Sequence, residues 1–385
     1  MTSQLPEPRV RSLRPRTGPL LDIDLSAVAA NTALIAGRTT GRLMAVVKAD
    51  GFGHGAVDVA RTALAHGATG LGVTSLAEAE PLRAAGLDAP ILSWLNPVDV
   101  DVAWAVEHSV ELAVPSLEHL AAVTSGPGRA RIHLHLDTGM ARDGAAPADW
   151  PRLCRAARLA ERRGALEVVG VMGHLGCADD PSDPCNSRGR TRFAWGLEVA
   201  RTCGLRPRHR HLAATAATLT DPLAHHTMSR VGAGLVGIDP SRTTLLRPAL
   251  TLTAPLVSVR RVRAGTPVGY GHTHTTSAPT RLGLVPLGYA DGLPRSSSGP
   301  AQMQVRDRRV PVVGRISMDQ AVVDLGRTVA EVGDTVTVFG PGDAGEPTVA
   351  DWAGWAGLLE HEVVTGIGAR VPRRTRPVPH LRSVR

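Results

Sequence analysis

The sequence predicts an α/β protein with an N-terminal (β/α)8 barrel of the TIM type and a mostly β C-terminal domain. Before about residue 240, eight β-rich runs alternate with Ala-, Leu- and Arg-rich stretches of helical character. Beyond about residue 247, short strands are separated by Gly, Pro and Asp turns. We therefore predict a flexible Arg- and Pro-rich arm over residues 1–19, a barrel over 20–247 and a β domain over 248–385. A doubly wound sheet is the alternative, but the strand count and the lack of a GxGxxG fingerprint weigh against it.

The predicted elements follow one another in regular order. Helical segments such as 56–65 and 151–163 lie between most of the barrel strands. The barrel strands are predicted at residues 43–48, 71–74, 91–95, 111–115, 131–137, 166–174, 209–215 and 229–235. In the second domain, strands are predicted at 248–262, 281–286, 303–305, 310–313, 320–325 and 335–339, and one helix at 349–359.

Composition excludes several classes of protein. The chain has 385 residues, of which 43% are hydrophobic, so real cores can form, and no apolar run reaches the length of a membrane span. The net charge of +8 would suit a nucleic acid, but only 3% of the residues are aromatic and much of the excess positive charge lies at the two ends. The four cysteines show no CxxC spacing. We expect a cytoplasmic protein with free thiols and with no bound metal, nucleic acid or membrane.

Lys48 is the only lysine in a chain with 43 basic residues. Arginine can replace lysine as a surface charge, but not where a neutral amine must act as a nucleophile, because guanidinium stays protonated. Lys48 ends the first predicted strand in VVKADGFGHG, and the glycines after it suit close approach of the backbone to an anion. A Schiff-base lysine is the functional interpretation, and a lysine retained by chance on the surface is the alternative.

Other polar residues lie where barrel strands are predicted to end. A barrel enzyme carries its reactive groups at the C-terminal ends of its strands. Taken singly, each of these residues could be a surface residue or a satisfied polar group, but together they predict an active site on one rim. They are Arg142 after the fifth strand, His174 and Thr215 at the ends of the sixth and seventh, and Arg230 and Gly232 in the eighth.

Seven motifs, found in order from about residue 20 to 375, carry a resemblance to a known family. They are AVVKADGFGHG, HLDTGMARDG, RVGAG, GYG at 269–271, PLGYADGLPR, VVGRISMDQAVVDL and TGIGARVPR, and together they resemble the alanine racemases. That family consists of pyridoxal 5'-phosphate (PLP) enzymes with a barrel and a β domain. Its members act on a small amino acid as head-to-tail homodimers with shared active sites. The resemblance therefore implies an isomerase that interconverts L- and D-alanine, for D-alanine biosynthesis.

The resemblance also implies a role for individual residues. Lys48 would hold PLP as a Schiff base and act as base on one face of the substrate Cα, and Tyr270 of the partner subunit would act on the other face. Arg230, held by His174, would pair with the pyridine nitrogen. The remaining implied contacts are Arg142 at the phenolic oxygen and the substrate, Thr215, Gly232, Ala233 and His361 at the phosphate, Met318 and Asp319 at the substrate carboxylate, and Tyr289 at the entrance.

The chain departs from the family pattern at several positions around the cofactor. Phe52, Val236 and His361 each stand where the family has a tyrosine, and Ala214–Thr215 stands where Asn–Ser is common. His135 replaces a lysine that is often carbamylated, and an imidazole cannot supply the negative charge of a carbamate. These changes leave Lys48 and Tyr270 in place, so they bear on PLP affinity and on the substrate rather than on the fold.

Four other functions remain open. The chain could racemise another amino acid in a specialised pathway. A decarboxylase of similar fold would pair the pyridine nitrogen with an acid and use a C-terminal cysteine, but here Arg230 and Ser317 stand at those positions. A metal-dependent barrel hydrolase could use His133, His135 and Asp137, which alternate on the fifth strand, whereas such a pair normally lies on the first. A PLP-binding protein without catalysis would not need a second domain that carries Tyr270.

Overall fold

The computed structural model describes residues 18–378, so the predicted arm over 1–19 lies almost entirely outside the described residues. The described chain forms two compact units. The barrel unit contains residues 22–250, 358–367 and 374–378, and the β unit contains 18–21, 251–357 and 368–373. Among the described residues, no helix is both long enough and apolar enough to cross a membrane.

The barrel prediction is confirmed by eight parallel strands in one sheet, which follow a first strand β1 (Leu20–Asp24). The sheet order is β8-β7-β6-β5-β4-β3-β2-β9. Hydrogen bonds from the Arg230 N–H to the Ala213 carbonyl (3.0 Å) and from the Thr227 N–H to the Arg210 carbonyl (3.1 Å) bring the two ends of the sheet together. The strands are β2 (Arg42–Val46), β3 (Ala68–Val73), β4 (Ile91–Ser93), β5 (Val110–Val114), β6 (Ala130–His135), β7 (Leu166–Met172), β8 (His209–His211) and β9 (Met228–Val231).

Helices alternate with these strands, and side-chain caps fix where several of them begin. Asp24 Oδ1 accepts from the Ser26 N–H at 2.9 Å, and Ser75 Oγ accepts from the Glu78 N–H at 3.3 Å. Such caps satisfy N–H groups that the helix itself leaves unpaired. The helices are α1 (Leu25–Arg38), α2 (Lys48–Gly53), α3 (Ala56–Ala65), α4 (Leu76–Ala84), α5 (Val102–Glu107), α6 (Leu117–Ser125), α7 (Trp150–Arg162), α8 (Pro184–Thr202) and α9 (Thr215–Thr220).

The second part of the chain is mostly β, as predicted. Its strands are β10 (Leu250–Pro255), β11 (Ser258–Val262), β12 (Pro267–Val268), β13 (His274–Thr275), β14 (Thr280–Val285), β15 (Gln302–Val305), β16 (Arg308–Pro311), β17 (Ala321–Asp324), β18 (Thr335–Phe339) and β19 (Arg373–Arg376). They form sheets of order β16-β15-β18-β10-β1-β19, β11-β14-β17 and β12-β13. Two helices follow β18, α10 (Val349–Ala356) and α11 (Glu360–Gly366).

Several predicted boundaries were wrong. The predicted strands 166–174 and 209–215 end at Met172 and His211, so His174 lies in a loop and Thr215 begins α9. After β8 ends at His211, the buried apolar residues Leu212 and Ala213 continue the strand-like pattern, so the predicted strand 209–215 was too long. The predicted strand 248–262 is two strands, and the helix predicted over 349–359 ends at Ala356, before a left-handed Gly357. Strand β1 and helix α1 were not predicted.

Candidate active site

Lys48 lies at the C-terminal end of β2, directly before a left-handed turn of the backbone. Four consecutive residues have positive φ between 51° and 60° (Ala49, Asp50, Gly51 and Phe52). This conformation costs about 1–2 kcal/mol for each residue other than glycine. The surrounding contacts must therefore hold it, and such strain is common at functional sites.

Hydrogen bonds at both ends hold the left-handed turn. The Gly51 N–H donates to the Val47 carbonyl at 2.8 Å, and the Gly55 N–H donates to the Asp50 carbonyl at 2.9 Å. The Asp50 carboxylate also accepts from the Ala56 N–H at 2.8 Å, which joins the turn to the first residue of α3. The direction in which the chain leaves Lys48 is thus fixed by backbone groups and one aspartate.

Glu78 on α4 ties this turn to the end of the neighbouring strand β3. One carboxylate oxygen accepts from the Ala49 N–H at 2.8 Å. The other accepts from the Thr74 N–H at 2.8 Å and from the Thr74 hydroxyl at 2.7 Å. Sequence reasoning missed Glu78, because its partners lie in different elements. The sequence offered one signal for Glu78: Ser75, three residues earlier, caps the helix and so places Glu78 in its first turn.

The environment of Lys48 favours its neutral amine. Burial lowers the pKa of Lys48, the nearby Arg142 lowers it further, and Glu78 opposes both. A lysine with a lowered pKa is a better nucleophile at neutral pH, since more of it carries a free electron pair. This electrostatic setting suits the Schiff-base interpretation of the lone lysine.

Replacing Glu78 with glutamine is expected to lower the pKa of Lys48 further. A carboxylate stabilises the ammonium form, so without it the neutral amine exists at lower pH. The rate at which the Lys48 amine reacts with an added aldehyde, followed by absorbance against pH, should show its midpoint at lower pH in Glu78→Gln. The free energy of unfolding in urea should fall by roughly 1–3 kcal/mol, because one backbone N–H loses its acceptor. The exposed Glu80 on the same helix provides the control Glu80→Gln, and identical pH profiles for both variants would contradict this reading.

Arg230 on β9 is buried and held on several sides by hydrogen bonds. Its guanidinium donates to the Gly173 carbonyl at 2.7 Å and to the His211 carbonyl at 2.9 Å, and lies 3.2 Å from His174 Nδ1. Burial and then Arg142 lower the pKa of Arg230 to about 10, so it remains charged at neutral pH. Burial and then Arg230 lower the pKa of His174 to about 3, so His174 is neutral and can accept from the guanidinium.

Backbone N–H groups and small residues form a cradle beside β9. Thr215 begins α9, and its hydroxyl accepts from the Gly234 N–H at 3.3 Å. A Cβ atom at Gly232 would lie 2.5 Å from Cε2 of Phe52 and 3.1 Å from the Val46 carbonyl, so a larger residue does not fit there. Gly232 precedes a 3-10 turn over Ala233–Val236. N–H groups that the start of such a turn leaves unpaired are suited to an anion such as a phosphate.

His361 lies close to this cradle. Its ring centroid is 6.0 Å from that of Phe52, and α11, which carries it, groups with the barrel unit. Burial lowers the pKa of His361, and the charge of Lys48 lowers it further. A neutral imidazole can still donate one N–H, so His361 can make the phosphate contact that the resemblance implies.

Arg142 lies in the loop after β6, where it helps to line a small pocket. The other lining residues are His135, Leu136, Asp137, Thr138, Met140, Asp143 and His174. His135 Nδ1 lies 3.3 Å from a carboxylate oxygen of Asp143, and this contact lowers the pKa of Asp143. The expected lack of negative charge at position 135 is therefore offset by Asp143, which sequence reasoning overlooked.

Three of the four predicted site residues in the β unit lie together. The Tyr289 N–H donates to the Ser317 carbonyl at 3.0 Å, and the Ala290 N–H donates to the Met318 carbonyl at 2.9 Å. Asp319 pairs with Arg370 at 2.7 Å. These contacts join the segment that contains Tyr289 to the segment that contains Met318 and Asp319.

Tyr270 lies in a separate 3-10 turn over Tyr270–His272 and is 70% exposed. The guanidinium of Arg315 lies against this turn, 3.3 Å from the position that a Cβ of Gly271 would take. Arg315 was not among the predicted site residues, although its place in the motif VVGRISMDQAVVDL could have suggested it.

The structure does not favour a metal site at His133 and His135. His133 Nε2 lies 2.7 Å from a Glu111 oxygen and His133 Nδ1 lies 2.8 Å from His211 Nε2, so both ring nitrogens have protein partners. His135 is paired with Asp143. Within residues 18–378, the one group of at least three His, Cys, Asp or Glu side chains whose ligand atoms lie within 4.8 Å of one another is Cys177, Asp183 and Cys185. All four cysteines are free thiols.

Comparison with known proteins adds an independent line of evidence. The alanine racemase N-terminal domain model matches residues 23–240, and the C-terminal domain model matches 249–375. Relatives named alanine racemase from Thermobifida fusca and Streptomyces coelicolor are 46% and 47% identical over 359 and 371 residues. Both alignments cover 91% of this chain, and they cover 96% and 94% of the relatives.

Solved structures agree with this result. The crystal structure of alanine racemase from D-cycloserine producing Streptomyces lavendulae superposes with a TM-score of 0.92 at 40% identity, and covers 95% of this chain and 98% of that one. The Streptomyces coelicolor enzyme superposes with a TM-score of 0.90 at 43% identity, and covers 93% and 98%. The chain therefore belongs to the alanine racemase family.

Proposed function

We propose that this protein is a PLP-dependent alanine racemase that works as a homodimer. The observation that carries the proposal is the lone Lys48, its pKa lowered by burial and Arg142, at the strand end of a barrel whose rim also carries Arg230 and His174. The relatives named alanine racemase, which match over nearly the whole chain, support alanine as the substrate. The free thiols support a reducing, cytoplasmic setting.

The residues present fit PLP. The cofactor requires an amine for its aldehyde, a partner for its ring nitrogen and donors for its phosphate. Lys48 would provide the amine, and the buried Arg230 would face the ring nitrogen. Thr215, Gly232, Ala233 and His361 would hold the phosphate. A Cβ at Gly232 would meet the Phe52 ring, so this position next to the turn is restricted to glycine. When bound, PLP supplies the electron sink that makes the substrate Cα–H acidic.

The protein's own residues would then move protons at the substrate Cα. Lys48 would remove or return a proton on one face, and Tyr270 of the partner subunit would do so on the opposite face, so inversion requires both. The high exposure of Tyr270 in a single chain is consistent with a residue that completes the site of another subunit.

Other residues would orient the substrate and the ring. Arg142 would hold the substrate carboxylate together with Met318 and Asp319 of the partner subunit, and Tyr289 would lie at the entrance. Arg230 would present a fixed positive charge to the ring nitrogen, and that charge opposes protonation of the ring. An unprotonated ring is a weaker electron sink, which limits side reactions.

A screen of L-amino acids in D₂O with added PLP tests the function and the substrate together. We expect deuterium at Cα and formation of the D-enantiomer, with alanine the fastest substrate. Faster conversion of another amino acid would favour the alternative racemase. Absence of Cα exchange with every amino acid, in a folded protein that binds PLP, would contradict the proposal.

A further inference from the structure

A row of buried polar side chains crosses the inside of the barrel behind Arg230. Arg230 Nη1 lies 2.9 Å from His211 Nδ1, and His211 Nε2 lies 2.8 Å from His133 Nδ1. His133 Nε2 lies 2.7 Å from Glu111 Oε2. The four residues come from β9, β8, β6 and β5, and each is at most 5% exposed.

Only one assignment of donors satisfies every contact in this row. The Glu111 carboxylate can only accept, so His133 must donate from Nε2 and accept at Nδ1. His211 then donates from Nε2 to His133, and its Nδ1 accepts from the guanidinium of Arg230. Burial and then Arg230 lower the pKa of His211 far below its ordinary value, so this imidazole is neutral, as the assignment requires.

The row has a positive charge at one end and a negative charge at the other. Burial raises the pKa of Glu111, but the hydrogen bond from His133 and the charge of Arg131 bring it below its ordinary value, so Glu111 is ionised. Arg131, which is partly exposed, pairs with the other oxygen of Glu111 at 2.5 Å. Isolated buried charges are costly, whereas charges joined by hydrogen bonds are tolerated. Glu111 is therefore the buried negative charge at the end of the row opposite Arg230, and it accepts the last hydrogen bond of the row.

A glycine on β7 makes room for the row. A Cβ atom at Gly170 would lie 2.0 Å from His133 Nδ1, the nitrogen that receives the hydrogen bond from His211. His209 stacks on the other side of His133, with ring centroids 5.9 Å apart and planes 6° apart. The His133 ring is thus confined between neighbouring strands, and it cannot turn freely to exchange its partners.

We propose that Glu111, His133 and His211 are positioning residues that fix the guanidinium of Arg230 against the ring nitrogen of the cofactor. This inference rests on the proposed function. The row orients Arg230 by accepting one hydrogen bond from Nη1 at His211 Nδ1, while the carbonyls of His211 and Gly173 accept from Nη1 and Nη2. Loss of the row leaves Arg230 in the barrel but releases it from one of its constraints.

Two variants disturb the row in different ways. Glu111→Gln removes the counter-charge, while its amide oxygen can still accept the hydrogen bond from His133. Gly170→Ala keeps all four members but displaces the His133 ring. Glu167→Gln, on the same strand as Gly170, removes a carboxylate that pairs with the exposed Arg208 and serves as the control.

The first readout is the state of the histidines in the protein without cofactor. Nitrogen NMR of histidine-labelled protein should show two neutral rings with slowly exchanging N–H protons, assigned by their loss in His133→Gln and His211→Asn. Glu111→Gln should shift the ring N–H signals of both histidines without changing their tautomers, because a neutral amide oxygen is a weaker acceptor than a carboxylate, and Glu167→Gln should leave them unchanged. Unchanged His211 signals in Glu111→Gln would overturn the relay, whether or not the protein is a racemase.

The second readout uses the PLP-loaded enzyme. We expect kcat to fall about 10-fold or more in Glu111→Gln and Gly170→Ala, with KM changed less, as for other residues that orient a site residue. The amount of pyruvate formed per racemisation should rise, because transfer of the amino group to the cofactor competes better without a fixed charge at the ring nitrogen. Wild-type kcat and pyruvate ratio in both folded variants would overturn the inference and leave the racemase proposal intact. A wild-type protein with no racemase activity would instead refute the proposed function.

Discussion

Lys48→Ala is expected to abolish both the yellow colour of the PLP-loaded protein and its racemase activity. The chain has no other lysine, so no neighbouring side-chain amine can take over. The same substitution removes the proposed base on one face of Cα, and loss of a general base alone costs roughly 10²–10⁴-fold. The combined loss of covalent attachment and proton transfer should therefore exceed about 10⁴-fold in kcat/KM. Absorbance spectra and racemisation assays on the purified variant measure the two effects.

The single lysine makes an unusually direct control possible. Borohydride reduction of the PLP-loaded wild type should fix the cofactor on one side chain, and mass spectrometry of the digested protein should place it on Lys48. Lys48→Arg keeps the positive charge without a nucleophilic amine, so it should be as inactive as Lys48→Ala. Cofactor fixed only at the chain's amino terminus, or a yellow Lys48→Ala protein, would show that Lys48 is not the attachment site.

Composition and motif order predicted the scaffold and the position of Lys48, but not what holds Lys48 in place. Eight strand-like runs predicted the barrel, and the change near residue 247 to short strands separated by Gly, Pro and Asp turns predicted the β unit. The left-handed turn was not predictable, because Ala49, Asp50 and Phe52 rarely adopt positive φ, and it is the surrounding structure that imposes this conformation. The ends of the strands were also uncertain, since apolar residues continue into the loops.

The interior of the barrel shows a second reason why sequence reasoning fell short. The alternation of His133 and His135 on one strand was visible, and it suggested a pair of metal ligands. The structure instead gives each histidine a different partner: His133 contacts Glu111 and His211, and His135 contacts Asp143. These partners come from distant parts of the chain, and a single sequence does not specify long-range pairs. What a histidine does therefore depended on tertiary contacts rather than on spacing.

Tyr270→Phe is expected to impair the two directions of racemisation unequally in their proton-exchange steps. The phenol is the proposed base for one enantiomer only, so Cα–deuterium exchange from that enantiomer should fall about 10²–10⁴-fold. Exchange from the other enantiomer, which relies on Lys48, should fall much less. Deuterium incorporation into L- and D-alanine, followed separately by mass spectrometry, measures both rates. Tyr289→Phe removes the only other phenol of the chain and serves as the matched control.

Mixing two inactive variants tests whether Tyr270 acts across a subunit interface. In a heterodimer of Lys48→Ala and Tyr270→Phe, one site would combine the intact Lys48 of one subunit with the intact Tyr270 of the other, while the second site would lack both. Random exchange of equal amounts gives about half heterodimers, each with one working site, so activity should recover to about one quarter of the wild-type value. If Tyr270 acted within its own chain, every site would lack one base and no activity would return. Recovery on mixing therefore distinguishes shared sites from self-contained ones, even though both arrangements predict the same single-variant losses.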